Sequence, residues 1–235
     1  MNTSLRASSS RGFVPTLALV AALILGLLPI SATSHAQALP SQSKPYGQSY
    51  AQWSAAWWQW LLGRPLVGHP SIDSPDFDVT GGQSGTVWFL AAPFGTVERT
   101  IAIPHGKALF IGLIGVEASS LEEPPFYGAT QPEQQAIATG FADFIVDVSC
   151  SVDGNDVPNI NQYRFLSPQY TFTAPTPWLF GATGGTGTSV ADGYYVMLAP
   201  LATGSHTIHF SGAFKFSDAP EDFIPLDMTY YVTVQ

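Results

Sequence analysis

The segment "SYAQWSAAWWQWLLGRP", residues 49–65, contains four of the six tryptophans of this 235-residue chain. At about 100° per residue, aromatic and aliphatic side chains share one helix face. They are Tyr50, Trp53, Trp57, Trp60 and Leu61. Ser49 suits the N-cap and Gly63 the stop, which predicts an amphipathic helix over residues 50–62 that packs inside the fold. Trp58 falls outside this arc, so we expect its ring at the rim.

Downstream of this helix, the chain consists mainly of short runs of β-branched and aromatic residues bounded by Gly and Pro. The runs are residues 86–91, 99–103, 107–114, 146–152, 162–166 and 169–173, with the densest pattern after residue 193. About nine or ten strands joined by short turns predict a mainly β fold, an antiparallel β-sandwich of the immunoglobulin-like or jelly-roll-like kind. We expect a single domain over residues 39–235.

Two segments interrupt the strand pattern. Residues 132–145 carry apolar side chains at helical spacing, and Pro132 suits a first helical turn, which predicts a second helix. Residues 181–189, "GATGGTGTS", are rich in glycine and predict a flexible loop.

The first 38 residues have the features of a signal peptide. Arg6 and Arg11 precede an apolar run over residues 13–30, and Ala36-Gln37-Ala38 fits the small-residue cleavage rule. We therefore expect an exported protein with no stable membrane insertion after the signal is cleaved. A retained membrane anchor is the alternative, which the prolines and the glycine within the run disfavour.

The chain is acidic. Cleavage would remove Arg6 and Arg11 and no acidic residue, so the net charge would move from −9 to −11. Such a surface repels nucleic acid, whose binding proteins depend on Lys and Arg, and nucleic-acid partners are therefore excluded. The sequence does not indicate an oligomeric state.

Cysteine usage argues against disulfides and thiol chemistry. Cys150 is the single cysteine, and it alternates with polar residues within 146–152, which places it on the buried face of a strand. A buried thiol in apolar surroundings is normally inert.

Several stretches carry a resemblance to known proteins. They are "YAQWSAAWWQW", "QSGTVWFLA", "ERTIAIPHGKALFIGLI", "YRFLSP" and "ADGYYVMLAPL…GSHTIHF". Together they resemble a family of exported bacterial proteins of unassigned function. The C-terminal pattern "LAPLATGSHTIHFSG…MTYYVTV" resembles the closing strands of immunoglobulin-like domains. The resemblance implies a β-rich fold and a periplasmic or extracellular location, and it implies no reaction.

Carboxylates are the weak candidates for catalysis. No G-x-S-x-G or H-E-x-x-H motif occurs, and we predict neither a cofactor nor a metal site. Glu117 follows the apolar strand 107–114, and Glu122 lies close behind it. A hydrolase acting on polysaccharide would use Glu117 with a second carboxylate about 5 to 10 Å away. The structural alternative is that Glu117 forms an ion pair with Arg99, Lys107 or Arg164, or accepts hydrogen bonds at the end of its strand.

Aromatic side chains are the candidates for binding. Trp58, Trp178, Tyr127 and Tyr194 could present flat faces to a glycan. The leading hypothesis is an exported, non-catalytic β-sandwich that binds a ligand, either a glycan or a protein, or a partner surface. The alternatives are the polysaccharide hydrolase and a structural subunit whose aromatic helix is buried between copies.

Overall fold

The computed structural model describes residues 1–3 and 38–235. The signal peptide predicted for residues 1–38 therefore lies almost wholly outside the described residues, and its cleavage stays a prediction. Within the described ranges, no helix has the length and apolar character needed to cross a membrane.

The described residues form ten β-strands and two α-helices, which fits the expected number of strands. The helices are α1 (Tyr50–Leu62) and α2 (Gln131–Ala142). The first five strands are β1 (Val87–Leu90), β2 (Gly95–Ile103), β3 (Ala108–Ser119), β4 (Ile145–Val152) and β5 (Asn155–Asp156). The remaining strands are β6 (Arg164–Leu166), β7 (Tyr170–Ala174), β8 (Gly185–Leu198), β9 (Gly204–Lys215) and β10 (Phe223–Val234).

The strands form two sheets, and the predicted mainly β sandwich is confirmed. The first sheet has the order β1-β3-β8-β6, with β7 also paired to β8, and the second has the order β2-β10-β9-β4-β5. Most pairs are antiparallel as expected, but β1–β3 and β2–β10 are parallel. The β1–β3 pair is parallel because the chain crosses to the second sheet for β2 and returns to run alongside β1.

The core is apolar and includes residues of both sheets and of α1, whose Tyr50 and Trp53 pack against Phe110. Phe110 on β3 and Met197 on β8 are fully buried, as are Phe210 on β9 and Met228 on β10. Cys150 on β4 belongs to the same core, and burial raises the pKa of its thiol to about 12. The predicted burial of this cysteine is therefore confirmed.

Helix α1 begins and ends where the sequence predicts. The Ser49 hydroxyl accepts a hydrogen bond from the Gln52 backbone N–H at 3.3 Å, and the Gln52 side chain accepts one from the Ser49 N–H at 2.9 Å. Gly63 forms the C-cap. This capping box supplies acceptors for N–H groups that have no partner inside the helix.

The four α1 indoles each donate a hydrogen bond to a different part of the chain. The acceptors are Pro45 O for Trp53, Leu90 O for Trp57, the Tyr195 hydroxyl for Trp58 and Gly81 O for Trp60, at 2.7 to 3.0 Å. Because the polar edge of each ring finds a partner, the helix can be buried without orphaned donors. These bonds fix α1 to the preceding segment, the β1 end, β8 and the loop that follows the helix.

The prediction that Trp58 would lie at the rim is wrong, because its side chain is only 5% exposed. Helix α1 contacts four strands of the first sheet, β3, β6, β7 and β8, and the Trp58 indole reaches the Tyr195 hydroxyl of β8 within this interface. Trp57 and Trp58 are both buried, while Trp53 and Trp60 are half-buried. The centre of the buried helix face therefore lies closer to Trp58 than the sequence pattern predicts.

Two other boundaries differ from the sequence expectation. Helix α2 ends at Ala142 and not at residue 145, because Ile145 already pairs with Phe214 in the second sheet. The glycine-rich residues 181–189 are not wholly a loop, because β8 starts at Gly185 and pairs with β7. Gly187 lies within this strand, and a larger residue does not fit there because a Cβ atom would lie 2.6 Å from Leu121 Cγ.

Gly112 on β3 makes room for the Trp57 ring, and a Cβ atom at this position would overlap that ring. We expect Gly112→Ala to lower the free energy of unfolding by about 1–3 kcal/mol, because the ring must leave its packed position. Gly140→Ala is the matched control, since nothing lies within 4 Å of a Cβ on this exposed α2 residue. That change should raise stability by about 0.5–1 kcal/mol. Urea unfolding measures both, and equal effects would contradict the packing argument.

Candidate functional site

A cavity of about 430 Å³ lies against helix α1 and the strands β3, β8, β9 and β10. Its lining is mostly aliphatic and aromatic. The lining residues of the helices and strands are Trp57, Trp58, Leu61, Gly112, Leu113, Ile114, Gly115, Val116, Glu117, Phe141, Tyr195, Phe214, Ile224 and Leu226. The loops add Ser71, Ala92, Phe94, Glu122, Phe126, Leu179, Phe180 and Phe216.

The outer end of the cavity is marked by three apolar side chains. Phe94, Phe180 and Ile224 line the cavity and are 54%, 43% and 40% exposed. Large apolar side chains left in water around an opening are typical of ligand-binding sites. A small molecule can therefore reach the cavity past these three residues.

Two carboxyl groups lie together at a buried part of the cavity wall. Glu117 near the end of β3 is 2% exposed, and Glu122 in the following loop is 9% exposed. Their carboxyl groups are in hydrogen-bonding contact. The strand carries Glu117 into the interior, and the loop turns back to bring Glu122 beside it.

Hydroxyl groups hold this pair in place. The Ser189 hydroxyl donates to Glu117 Oε2 and accepts a hydrogen bond from the Tyr170 hydroxyl at 3.0 Å. The Ser119 hydroxyl donates to Glu122 Oε2 at 3.3 Å. Among the described residues, Glu117 Oε1 has no hydrogen-bond donor within reach, although it is buried.

Burial controls the ionisation of the pair. Burial raises the pKa of Glu117, and hydrogen bonds with Glu122 and Ser189 oppose this shift. Burial, the hydrogen bond with Glu117 and the charge of Glu117 all raise the pKa of Glu122. Two carboxylates in contact in a low-dielectric site cannot both ionise cheaply. We therefore infer that the pair keeps at least one proton at neutral pH.

The ion pair considered for Glu117 is not formed, because all three basic candidates are engaged elsewhere. Arg99 donates to Pro70 O and Ile72 O, and Lys107 donates to Gly85 O. Arg164 pairs with Asp192 at 2.9 Å and with Asp143 at 2.8 Å. In the part of the chain that the structure describes, no salt bridge reaches either glutamate.

The loop that carries Glu122 is anchored by Gln134 of α2. The Gln134 amide nitrogen donates to Gly128 O at 2.9 Å and to Thr188 O at 3.0 Å. Its amide oxygen accepts a hydrogen bond from Gln169 at 2.9 Å. Because this fully buried amide joins the loop, α2 and β8, it fixes the position of Glu122 indirectly.

The aromatic candidates are not gathered on one surface. Trp58 lines the cavity, whereas Trp178 is 2% exposed and packs against Phe172 at a ring distance of 5.7 Å. Tyr127 is 47% exposed and Tyr194 is half-buried. The structure therefore brings Trp58, Glu117 and Glu122 to one cavity and leaves the other three elsewhere.

Sequence reasoning missed most of the cavity lining. Phe94, Phe141, Phe180 and Phe214 come from separate loops, helix α2 and β9, and nothing in their spacing announces that they meet. Glycines 112 and 115 were an available signal, because glycine within an apolar strand often marks a close approach of another group.

Comparisons with known proteins give little on function. No family model matches this chain, and no curated protein matches it. Over part of its length the chain is similar to a solved cysteine protease inhibitor from Entamoeba histolytica. The identity is 14%, the TM-score is 0.22, and the match covers 58% of this chain and 86% of that chain. The solution structure of Amebosin is similar at 15% identity and a TM-score of 0.21, over 61% of this chain and 99% of that chain. Both similarities are too remote to indicate a shared activity.

The carboxyl pair predicts a pH dependence of stability. A carboxyl group whose pKa is raised by folding stabilises the protein most below its unfolded pKa, and this contribution is lost as the pH rises. Each retained proton changes the free energy of unfolding by about 1.4 kcal/mol per pH unit. The Glu122→Gln variant lacks the carboxyl group with the raised pKa and therefore does not lose this stability as the pH rises. Its free energy of unfolding, relative to that of the original protein, should increase steadily from pH 5 to pH 8.

Urea unfolding at several pH values measures this difference, in which the effects of unchanged histidines cancel. Glu123→Gln is the control, because it removes the same charge from the adjacent, exposed position. A pH profile for Glu122→Gln that parallels that of Glu123→Gln would show that the pair holds no proton.

Proposed function

We propose that this protein is an exported, non-catalytic β-sandwich that binds a small, largely apolar ligand in the cavity beside α1. The observation that carries the proposal is the cavity itself, with a volume of about 430 Å³ and a mostly apolar lining. Small-molecule sites typically measure about 300–1,000 Å³ and combine apolar walls with a few polar groups. Export enters the proposal on the sequence features of residues 1–38 alone.

The distribution of polar groups supports one ligand orientation. The carboxyl pair lies at the buried end, while Phe94, Phe180 and Ile224 lie at the exposed end. A ligand with a polar end and an apolar body would place its polar end on the glutamates and cover the aromatic walls. In most small-molecule pockets the apolar area supplies the affinity, and the polar groups fix the orientation of the ligand.

A glycan is a weaker fit than an apolar molecule. Sugar binding would use exposed, roughly coplanar aromatic rings, whereas Trp58 and Trp178 are buried and Tyr127 and Tyr194 lie apart from the cavity. The assembly alternative required an uncovered apolar face on α1, but this chain covers Tyr50, Trp57 and Trp58 by itself. Both points favour small-molecule binding.

Hydrolysis is the second candidate, because the structure supplies the second carboxylate that it needs. Glu117 and Glu122 are in contact, however, whereas glycosidase carboxylates are about 5–10 Å apart to accommodate the sugar and water between them. We therefore rank hydrolysis below binding. Turnover of a polysaccharide by the original protein, lost in Glu117→Gln, would reverse this ranking.

A cavity-filling substitution tests the binding proposal. Ala92 is a half-buried lining residue, and Ala92→Phe places a ring inside the cavity. We expect the neutral fluorescent probe N-phenyl-1-naphthylamine to bind the original protein with enhanced emission, and Ala92→Phe to weaken this binding at least tenfold. The physical reason is that the added ring occupies the volume the probe needs.

Ala136→Phe is the matched control, because Ala136 is an exposed residue on α2 outside this cavity. It should leave probe binding within twofold. Circular dichroism and thermal unfolding confirm that both variants are folded. Equal probe binding by the two variants would place the probe outside the cavity and overturn the proposal.

A further inference from the structure

The buried end of the cavity concentrates acceptors without matching donors. Glu117 and Glu122 contribute four carboxyl oxygens, and the described chain supplies hydroxyl donors from Ser189 and Ser119 to one oxygen of each. Glu117 Oε1 has no donor although its residue is 2% exposed. A buried acceptor of this kind is energetically unfavourable unless something donates to it.

The groups that face this pair are neutral or negative. Tyr170 on β7 and Tyr195 on β8 are the titratable neighbours, and burial raises the pKa of both phenols, so neither carries charge at neutral pH. Asp192 on β8 is committed to Arg164 at 2.9 Å. Among residues 38–235, no lysine or arginine balances the pair. In the protein alone the retained proton therefore takes the place of a countercharge, and a cation delivered by the ligand could replace it.

We propose that Glu117 and Glu122 recognise the ammonium group of an amphiphilic amine whose apolar body fills the cavity, and that this ammonium replaces the proton shared by the two carboxyl groups. This inference rests on the proposed binding function and adds the chemical class of the ligand. One protonated amine enters and one proton leaves to solvent, so the charge of the site is conserved.

The chemistry of the site favours an ammonium over other polar ends. An ammonium is compact and has three donors, which suits a small cluster of carboxyl oxygens lacking donors. A carboxylate end would meet like charge, and an alcohol end would satisfy one acceptor without balancing charge. A metal ion is a poorer occupant, since the described residues contain no group of three or more His, Cys, Asp or Glu placed to hold one.

A series of ligands with one alkyl chain and three polar ends tests the proposal. Octylamine, 1-octanol and octanoate are titrated calorimetrically into the full mature protein at pH 7, where an alkylamine with a pKa of about 10.4 is protonated. We expect octylamine to bind at least tenfold more tightly than 1-octanol, and octanoate to bind most weakly. Titration in phosphate and in Tris should give different enthalpies, corresponding to release of about one proton per octylamine bound.

Variants separate recognition by the pair from attraction to an acidic surface. Glu122→Gln and Glu117→Gln should each weaken octylamine at least tenfold and leave 1-octanol within twofold. Glu123→Gln removes an exposed negative charge from the adjacent position and should change neither affinity. Ala92→Phe should abolish binding of both ligands, because both use the cavity. The comparison of polar ends on the original protein needs no variant, so it stands even if one glutamine variant fails to fold.

The outcomes distinguish this inference from the binding proposal. If N-phenyl-1-naphthylamine and 1-octanol bind but octylamine shows no preference and no proton release, the cavity is a ligand site and the ammonium inference is wrong. If neither the neutral probe nor any member of the series binds in the cavity, the proposed function itself is wrong. An octylamine preference that persists in Glu122→Gln and Glu117→Gln would also overturn the inference.

Discussion

The packing of helix α1 onto the first sheet is the constraint on which the fold and the cavity both depend. Trp57 lies over Gly112, where any larger residue would overlap its ring, and its indole N–H donates to Leu90 O. Trp58 crosses the same interface to reach the Tyr195 hydroxyl. Burial of the two indoles stabilises the fold by several kcal/mol, and their N–H hydrogen bonds fix the position of the helix on the sheet. Because the same two rings line the cavity, the interaction that positions the helix also forms one wall of the site.

Much of the fold could be predicted from local pattern. Helix α1 has a capping residue, a periodic aromatic face and a glycine stop, and its bounds were predicted correctly from these signals. Alternation likewise identified β4 and the buried Cys150. The parallel pairing of β1 with β3 could not be predicted, since it depends on which sheet receives β2. The burial of Trp58 was missed because it depends on how many elements surround the helix, which periodicity on one segment does not encode.

The candidate site shows the same division between local and long-range information. Position after an apolar strand was enough to select Glu117 as an unusual carboxyl group. The sequence left its partner open between a basic residue, hydrogen-bond donors at the strand end and a second carboxylate, and the structure provides Ser189 and Glu122. That contact depends on a loop closed by the Ser119 N–H bond to Phe126 O and held by Gln134, an amide whose partners are distant in sequence. Hydrogen bonds between distant segments are therefore what converts two ordinary glutamates into one buried acidic site.

A buried carboxyl pair that has no basic partner and must retain a proton is an unfavourable feature for a fold that has apolar alternatives. Replacing such groups with apolar residues of similar volume is often neutral or stabilising, so packing alone does not account for two glutamates here. The surroundings are nevertheless specific: Ser189 and Tyr170 form a relay of hydroxyls that orients Glu117, and the cavity leads from the pair to solvent. Structural strain of this kind tends to be retained where a ligand relieves it. Burying the two carboxyl groups costs free energy in the protein alone. A cationic ligand with an apolar body would recover part of that free energy on binding, and this would make its binding selective.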